Sequence, residues 1–242
     1  MGSEGGLEAV RFNITGFSKF HGVADNPTET LVSKLRNYIK EEGGPPILLE
    51  SCTVLETAGK GALGRLLELL NGPLQPSALD TKAKSEVNGA RGAGRKVLLD
   101  GAPRKPAQGK IIWIHLGVNG GASRFALERR AYNEATFRCP DEAGWQPWKE
   151  PILPEDGPLD FFRETVAPVD ELVGALRKQG FDCAPSTDAG RFVCNYVYYH
   201  SLRHALIHGT ESLFVHVPAF EVVGEDVQLE FVVALLRTLN SI

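Results

Sequence analysis

The chain has 242 residues, 43% of them apolar, with 26 basic against 30 acidic residues and a net charge of −4. That length supports one large α/β domain or two small ones, and the apolar share is that of an ordinary globular protein. The near-balanced charge argues against nucleic acid or a membrane surface as the main partner.

In chain order, Val10 to Thr15 reads as a strand, Gly16 to Asn26 as a loop, and Pro27 to Lys40 as a helix with Pro27 at a tolerated early position. Ile47 to Leu55 reads as a strand and Gly61 to Leu70 as a helix. Ile111 to Leu116 is an apolar, β-branched run that reads as a buried central strand, and Phe125 to Phe137 reads as strand-like. Val169 to Gln179 has amphipathic helical spacing closed by Gly180, and Phe181 to Pro185 is a short strand. Val193 to His208 reads as a helix, Ser212 to Val217 as a strand and Val227 to Leu239 as the last helix. Strands alternating with helices predict a three-layer α/β/α sandwich with a mostly parallel, twisted central sheet, built as a single domain over residues 1–242.

One stretch falls outside that pattern. Residues 72–110 hold eight basic and three acidic residues and are rich in Gly, Ala, Lys and Pro, with only Val97 to Leu99 as an apolar run. Such a composition cannot bury enough surface to order itself, which predicts a flexible basic insertion between a helix and the central strand. A docking arm for an acidic partner is the alternative use of the same residues.

Cys52, Cys139, Cys183 and Cys194 show neither zinc-knuckle nor CxxC spacing. Met1 to Glu8 is polar and glycine-rich, with no signal peptide, and no run is long and apolar enough for a membrane span. The expectation is a cytoplasmic protein with reduced thiols. Among these cysteines, Cys194 differs from the rest in its setting, Ala189-Gly190-Arg191-Phe192-Val193-Cys194-Asn195-Tyr196. It follows a glycine turn where a helix begins, close to unpaired backbone N–H groups and the positive end of the helix dipole. That field favours the nucleophilic thiolate. Twenty-two residues later, His216 stands near the end of the next strand. A cysteine opening a helix and a histidine closing the following strand meet at one edge of an α/β sheet, which predicts a nucleophile with its base and hence a cysteine hydrolase.

Three further patches accompany this pair. They are Thr15-Gly16-Phe17-Ser18-Lys19-Phe20-His21-Gly22 with Asn26-Pro27, then His115-Leu116-Gly117-Val118-Asn119-Gly120-Gly121, and then Leu127-Glu128-Arg129-Arg130-Ala131-Tyr132-Asn133. In this order, with the cysteine segment and the His216-Val217-Pro218 strand end, they resemble the signatures of pyroglutamyl peptidase type I, also called pyrrolidone-carboxylate peptidase, from about Val10 to the C-terminus. The likeness is nearest to plant-like members, whose nucleophile segment carries Arg and Phe as Arg191 and Phe192 stand here.

The resemblance implies a cysteine omega-peptidase that removes an N-terminal pyroglutamyl residue from peptides through a thioacyl-enzyme. It implies Cys194 as nucleophile, His216 as base and Glu128 as the third member of the triad. It also implies a substrate pocket in which Phe17 and Phe20 enclose the lactam ring, Asn26 and the backbone near Val118 bind or order its amide edge, and Arg138 polarises the carbonyl or supports the loop. No cofactor, metal, nucleic acid or membrane is implied, and a homo-oligomer, often a tetramer in the family, is. Lys19 and His21, Val118-Asn119 and Arg191 depart from the common pattern, the last standing where a threonine is frequent. A catalytically weak member of the same fold, binding through its basic insertion, is the alternative reading.

Two other histidine groups have plainer readings. His115, in the central strand, reads as a structural histidine with its hydrogen bonds met. His200, His204 and His208 lie at i, i+4 and i+8 on the Cys194 helix, span too much helix for one ion, and read as a solvent or subunit face.

Overall fold

A computed structural model describes residues 10–20, 25–72 and 109–242. Nearly all of the expected basic insertion lies outside the described residues. The elements, in order, are β1 (Arg11–Phe17), α1 (Pro27–Glu42), β2 (Leu48–Leu55), α2 (Gly59–Leu70), β3 (Ile111–Val118), β4 (Phe125–Glu128), β5 (Arg130–Tyr132), a 3-10 turn (Pro154–Asp156), β6 (Phe162–Glu164), α3 (Val169–Lys178), β7 (Cys183–Ser186), α4 (Val193–His208), β8 (Glu211–Val217) and α5 (Glu225–Ser241).

Six strands form one sheet in the order β2-β1-β3-β8-β4-β7, and β5 pairs with β6 in a separate two-stranded sheet. The β2-β1-β3-β8 half is parallel. β4 runs antiparallel to β8, and β7 is parallel to β4. The mostly parallel α/β/α reading therefore holds. The run Phe125 to Phe137 is not one strand, because it breaks at Arg129 and its two halves join different sheets. Likewise Gly16 and Phe17 belong to β1 rather than to the loop after it.

The two faces of the sheet bury two separate cores, as the period of two along each strand requires. On one face Phe12, Ile14, Ile112, Ile114, Leu116, Leu213, Val215 and Val217 pack against α1, α3 and α5. On the other, Phe17, Ile111, Trp113 and Phe214 pack against α2 and α4. His115 and His216 occupy the alternate positions of β3 and β8, and so lie on the α4 side.

Helix ends follow their chemistry. Asn26 caps α1, its Oδ1 accepting from the Thr28 backbone N–H at 3.1 Å, and Pro27 fills the first position, where no N–H is needed. α4 ends on Gly209 in the left-handed conformation, φ 68°. Its first turn carries no side-chain cap, so the N–H groups that open the helix stay available to a ligand. No described helix is long and apolar enough to cross a membrane.

Candidate active site

β1, β3 and β8 are parallel, so the segments that follow Phe17, Val118 and Val217 emerge at one edge of the sheet. α4 opens beside that edge. In parallel sheets this is where ligands bind.

Cys194 sits at the second position of α4 and is half-buried. A Cβ placed on Gly117, one residue from the end of β3, would stand 3.0 Å from Cys194 Sγ and 2.6 Å from Phe214 Cζ. The bare backbone of β3 is therefore packed directly against the thiol. In the sheet Gly117 is also the register partner of His216. A glycine inside a buried strand marks such a close approach, yet periodicity alone gives it no role. Gly117→Ala is expected to displace the thiol or the Phe214 ring and to lower kcat/KM by roughly 10–100-fold, the range an ångström-scale misplacement costs. Steady-state kinetics checks this, and activity equal to wild type would remove Gly117 from the site.

His216 and Glu128 are both buried, 7% and 1% exposed. His216 Nδ1 and Glu128 Oε1 are 2.8 Å apart. The strand register explains the contact: Glu128 pairs with Phe214, two residues from His216 on the same face, so carboxylate and imidazole meet on the diagonal. With Nδ1 donating to Glu128, Nε2 is left for the thiol, and Cys194 is near enough to act on the ring. Burial alone would push the His216 pKa down. The hydrogen bonds and charges of Cys194 and Glu128 outweigh it and hold the pKa well above the ordinary histidine value. The imidazolium is thus the favoured partner of these two groups.

The residues around Cys194, His216 and Glu128 hold these side chains in place. Tyr198, one turn along α4 from Cys194, donates its hydroxyl to the Glu128 backbone carbonyl at 2.8 Å, and burial raises its pKa. Phe214 lies 4.9 Å from the His216 ring and 6.4 Å from Phe17, centroid to centroid. Asn195 accepts from the Tyr132 N–H at 2.8 Å and donates to the carbonyls of Tyr132 and Glu134 at 2.9 and 3.0 Å. Tyr198, Phe214 and Asn195 received no role from the sequence. The signal was there in part: Phe214 is two residues before His216 on one strand face, and Tyr198 is four after Cys194 on one helix face.

The pocket residues fall into different settings. Phe17 is 2% exposed, against Phe214. Phe20 is half-buried, its ring 6.5 Å from that of Phe192. Asn26 Nδ2 donates to the Ser18 carbonyl at 3.0 Å, tying the loop after β1 to the start of α1. Its Oδ1 is taken by the backbone and hydroxyl of Thr28. Val118 is half-buried at the end of β3. Arg138 is exposed and makes no ion pair among the described residues.

His115 is fully buried, with Nδ1 2.7 Å from Thr15 Oγ1 and Nε2 2.7 Å from Ser201 Oγ. Burial drives its pKa down to about 3, so it is a neutral structural histidine that links β1, β3 and α4. The solvent-face reading fails for His204, which is buried and stacked at 4.0 Å on His208. α4 packs on α2 as well as on the sheet, so more of its circumference is covered than one amphipathic stripe would be. Among the described residues, no group of three or more His, Cys, Asp or Glu side chains could hold a metal ion.

The family model described as pyroglutamyl peptidase matches residues 105–230. The pyrrolidone-carboxylate peptidase of Escherichia fergusonii is 30% identical over 211 residues, covering 85% of this chain and 76% of that protein. The enzyme of the same name from Pyrococcus furiosus is 28% identical over 207 residues, covering 85% and 79%. Among solved structures, pyroglutamyl peptidase I of Bacillus amyloliquefaciens superposes with a TM-score of 0.71 at 23% identity, over 97% of this chain and 98% of that one. The pyrrolidone carboxyl peptidase of Fervidobacterium islandicum does so at 0.70 and 24%, over 96% and 99%. These two structures share the fold.

Proposed function

Since the chain belongs to the pyroglutamyl peptidase family and is a cysteine-type hydrolase, we propose that it cleaves the N-terminal pyroglutamyl residue from peptides with Cys194 as nucleophile, His216 as acid and base, and Glu128 as the carboxylate that orients the ring. The observation that carries this reading is the continuous line from the Cys194 thiol through the His216 ring to the buried Glu128 carboxylate.

The geometry supports the following sequence of steps. His216 takes the thiol proton, and the thiolate attacks the pyroglutamyl carbonyl carbon. The oxyanion that forms is met by uncapped N–H groups at the start of α4, the Cys194 N–H among them. The scissile C–N bond then breaks as His216 returns its proton to the departing amine, leaving a thioester on Cys194. Water, deprotonated by His216, attacks that thioester and releases pyroglutamate and the thiol. Glu128 keeps Nδ1 protonated throughout and stabilises the imidazolium of each half-reaction.

Specificity follows from the lactam. An uncharged cyclic amide would suit apolar surroundings beside the segment after β1, where Phe20 is half-buried and Phe17 is buried. A free N-terminal ammonium placed there would lose its hydration without gaining a partner. The test is hydrolysis of a pyroglutamyl fluorogenic amide against the matching prolyl amide, with and without a thiol alkylator. We expect cleavage of the first only, blocked by alkylation, and absence of that cleavage would sink the proposal.

Phe20→Ala is expected to lower kcat/KM by about tenfold, because a lost aromatic contact costs a few kcal/mol at most when part of the face is exposed. Alkylation of Cys194 by a small reagent should be unchanged. Wild-type kinetics in this variant would move the ring pocket elsewhere and leave the triad untouched.

A further inference from the structure

The turn that delivers Cys194 is held by one side chain that the mechanism above does not use. We propose that Arg191 is a positioning residue of this reaction, which fixes the nucleophile turn by bridging it to the Glu134 carboxylate. The proposal rests on the reading of Cys194 as nucleophile.

The turn itself needs holding. Gly190 has φ 79°, a conformation that glycine reaches without strain but does not enforce. Arg191 enforces it. Its Nη1 donates to the Gly190 carbonyl and to Asp188 Oδ1, each at 2.6 Å, and the same Asp188 oxygen accepts from the Gly190 N–H at 3.0 Å. Its Nε donates to Glu134 Oε2 at 2.9 Å, and the guanidinium lies 4.0 Å from the Tyr132 ring centroid. Glu134 is itself fixed, since Thr136 Oγ1 donates to its Oε1 at 2.7 Å, and the Thr136 N–H returns to the Arg191 carbonyl at 3.0 Å. The result is a closed ring of hydrogen bonds between residues 134–136 and Arg191.

Burial separates the contributing pairs. Asp188 is 67% exposed, and an ion pair there contributes little. Arg191 and Glu134 are 25% and 21% exposed, so the charged hydrogen bond from Nε to the carboxylate is the one that holds geometry. Asn195, on the other side of Cys194, clamps the same stretch through Tyr132 and Glu134. The nucleophile is therefore gripped from both flanks by residues 132–136. That stretch starts four residues after Glu128, so thiol and carboxylate take their spacing from one short run of backbone. A threonine at position 191 lacks the reach and the fork to make this bridge.

The test uses the full chain. Arg191→Met, which keeps most of the stem and loses the fork, is expected to lower kcat by roughly 10–100-fold with KM within about threefold, and to slow alkylation of Cys194 by iodoacetamide. The melting temperature should stay within about 4 °C of wild type. Arg191→Lys retains the charge without the fork and is expected to lose at least about fivefold in kcat. Glu134→Gln should act on the same bridge, so the double variant with Arg191→Met should lose little more than Arg191→Met alone.

Wild-type kcat in Arg191→Met or Arg191→Lys overturns the proposal. So do losses that multiply in the double variant, or a rise in KM or a fall in melting temperature that accounts for the whole effect. If the wild-type protein fails to cleave a pyroglutamyl amide, the functional reading falls separately. The alkylation rates then still report whether Arg191 sets the thiol.

Discussion

Cys194→Ala is expected to abolish hydrolysis, with kcat/KM on a pyroglutamyl amide falling by at least about 10⁴-fold, as losses of triad nucleophiles do. The fold should survive. The thiol is small and half-buried, and alanine is a good helix former. The remaining partner of His216, the Glu128 carboxylate at 2.8 Å, is untouched. The melting temperature should therefore shift by no more than about 4 °C. Kinetics and circular dichroism on the same preparation check both halves. Activity within about tenfold of wild type would mean that another group carries the chemistry.

Glu128→Gln is expected to cost about 10³–10⁴-fold in kcat with little change in KM, because the carboxylate holds the ring and does not touch substrate. The pH profile supplies an independent check. In the wild-type protein Cys194 and Glu128 together raise the His216 pKa against the effect of burial. The stabilisation tied to that shift is fully present below about pH 6.5, the ordinary histidine value, and is lost as pH rises through the raised one. The proton that His216 gives to the departing amine is lost over the same range, which sets the alkaline limb of kcat/KM. An amide at position 128 removes one of the charges that hold the proton, so the limb should move to lower pH. An unmoved limb together with a kcat within about threefold of wild type would take Glu128 out of the mechanism.

Much of the fold was legible in local pattern. Val193–His208 begins and ends where the glycine turn and Gly209 place it, and β3 is the apolar run it reads as. Strand direction was not legible. The residues from Phe125 onward carry strand character, but nothing in their periodicity says that β4 turns against β8 while β5 leaves the sheet. Those facts depend on partners far along the chain. Cys194, His216 and Glu128 were picked out by motif order, and the structure brings His216 and Glu128 together. Their support was not, because Gly117 against the thiol and Tyr198 on the Glu128 carbonyl are contacts between α4 and the strands. His204 shows the same limit: helical spacing places it beside His200 and His208, but the packing of α4 decides that it is buried.

The reversed direction of β4 has a consequence for how this protein can change. β1, β3 and β8 release their loops at the edge beside Cys194, whereas β4 runs away from it and carries Glu128 down beside Phe214, below His216. The carboxylate is reached only through the protein interior. On the proposed reading, residues at the rim, such as Phe20, Val118 and Arg138, can drift to admit other peptides without meeting the carboxylate that orients His216. Selection acting on diet and selection acting on turnover thus fall on different amino acids, and a lineage can rewrite the first while inheriting the second intact.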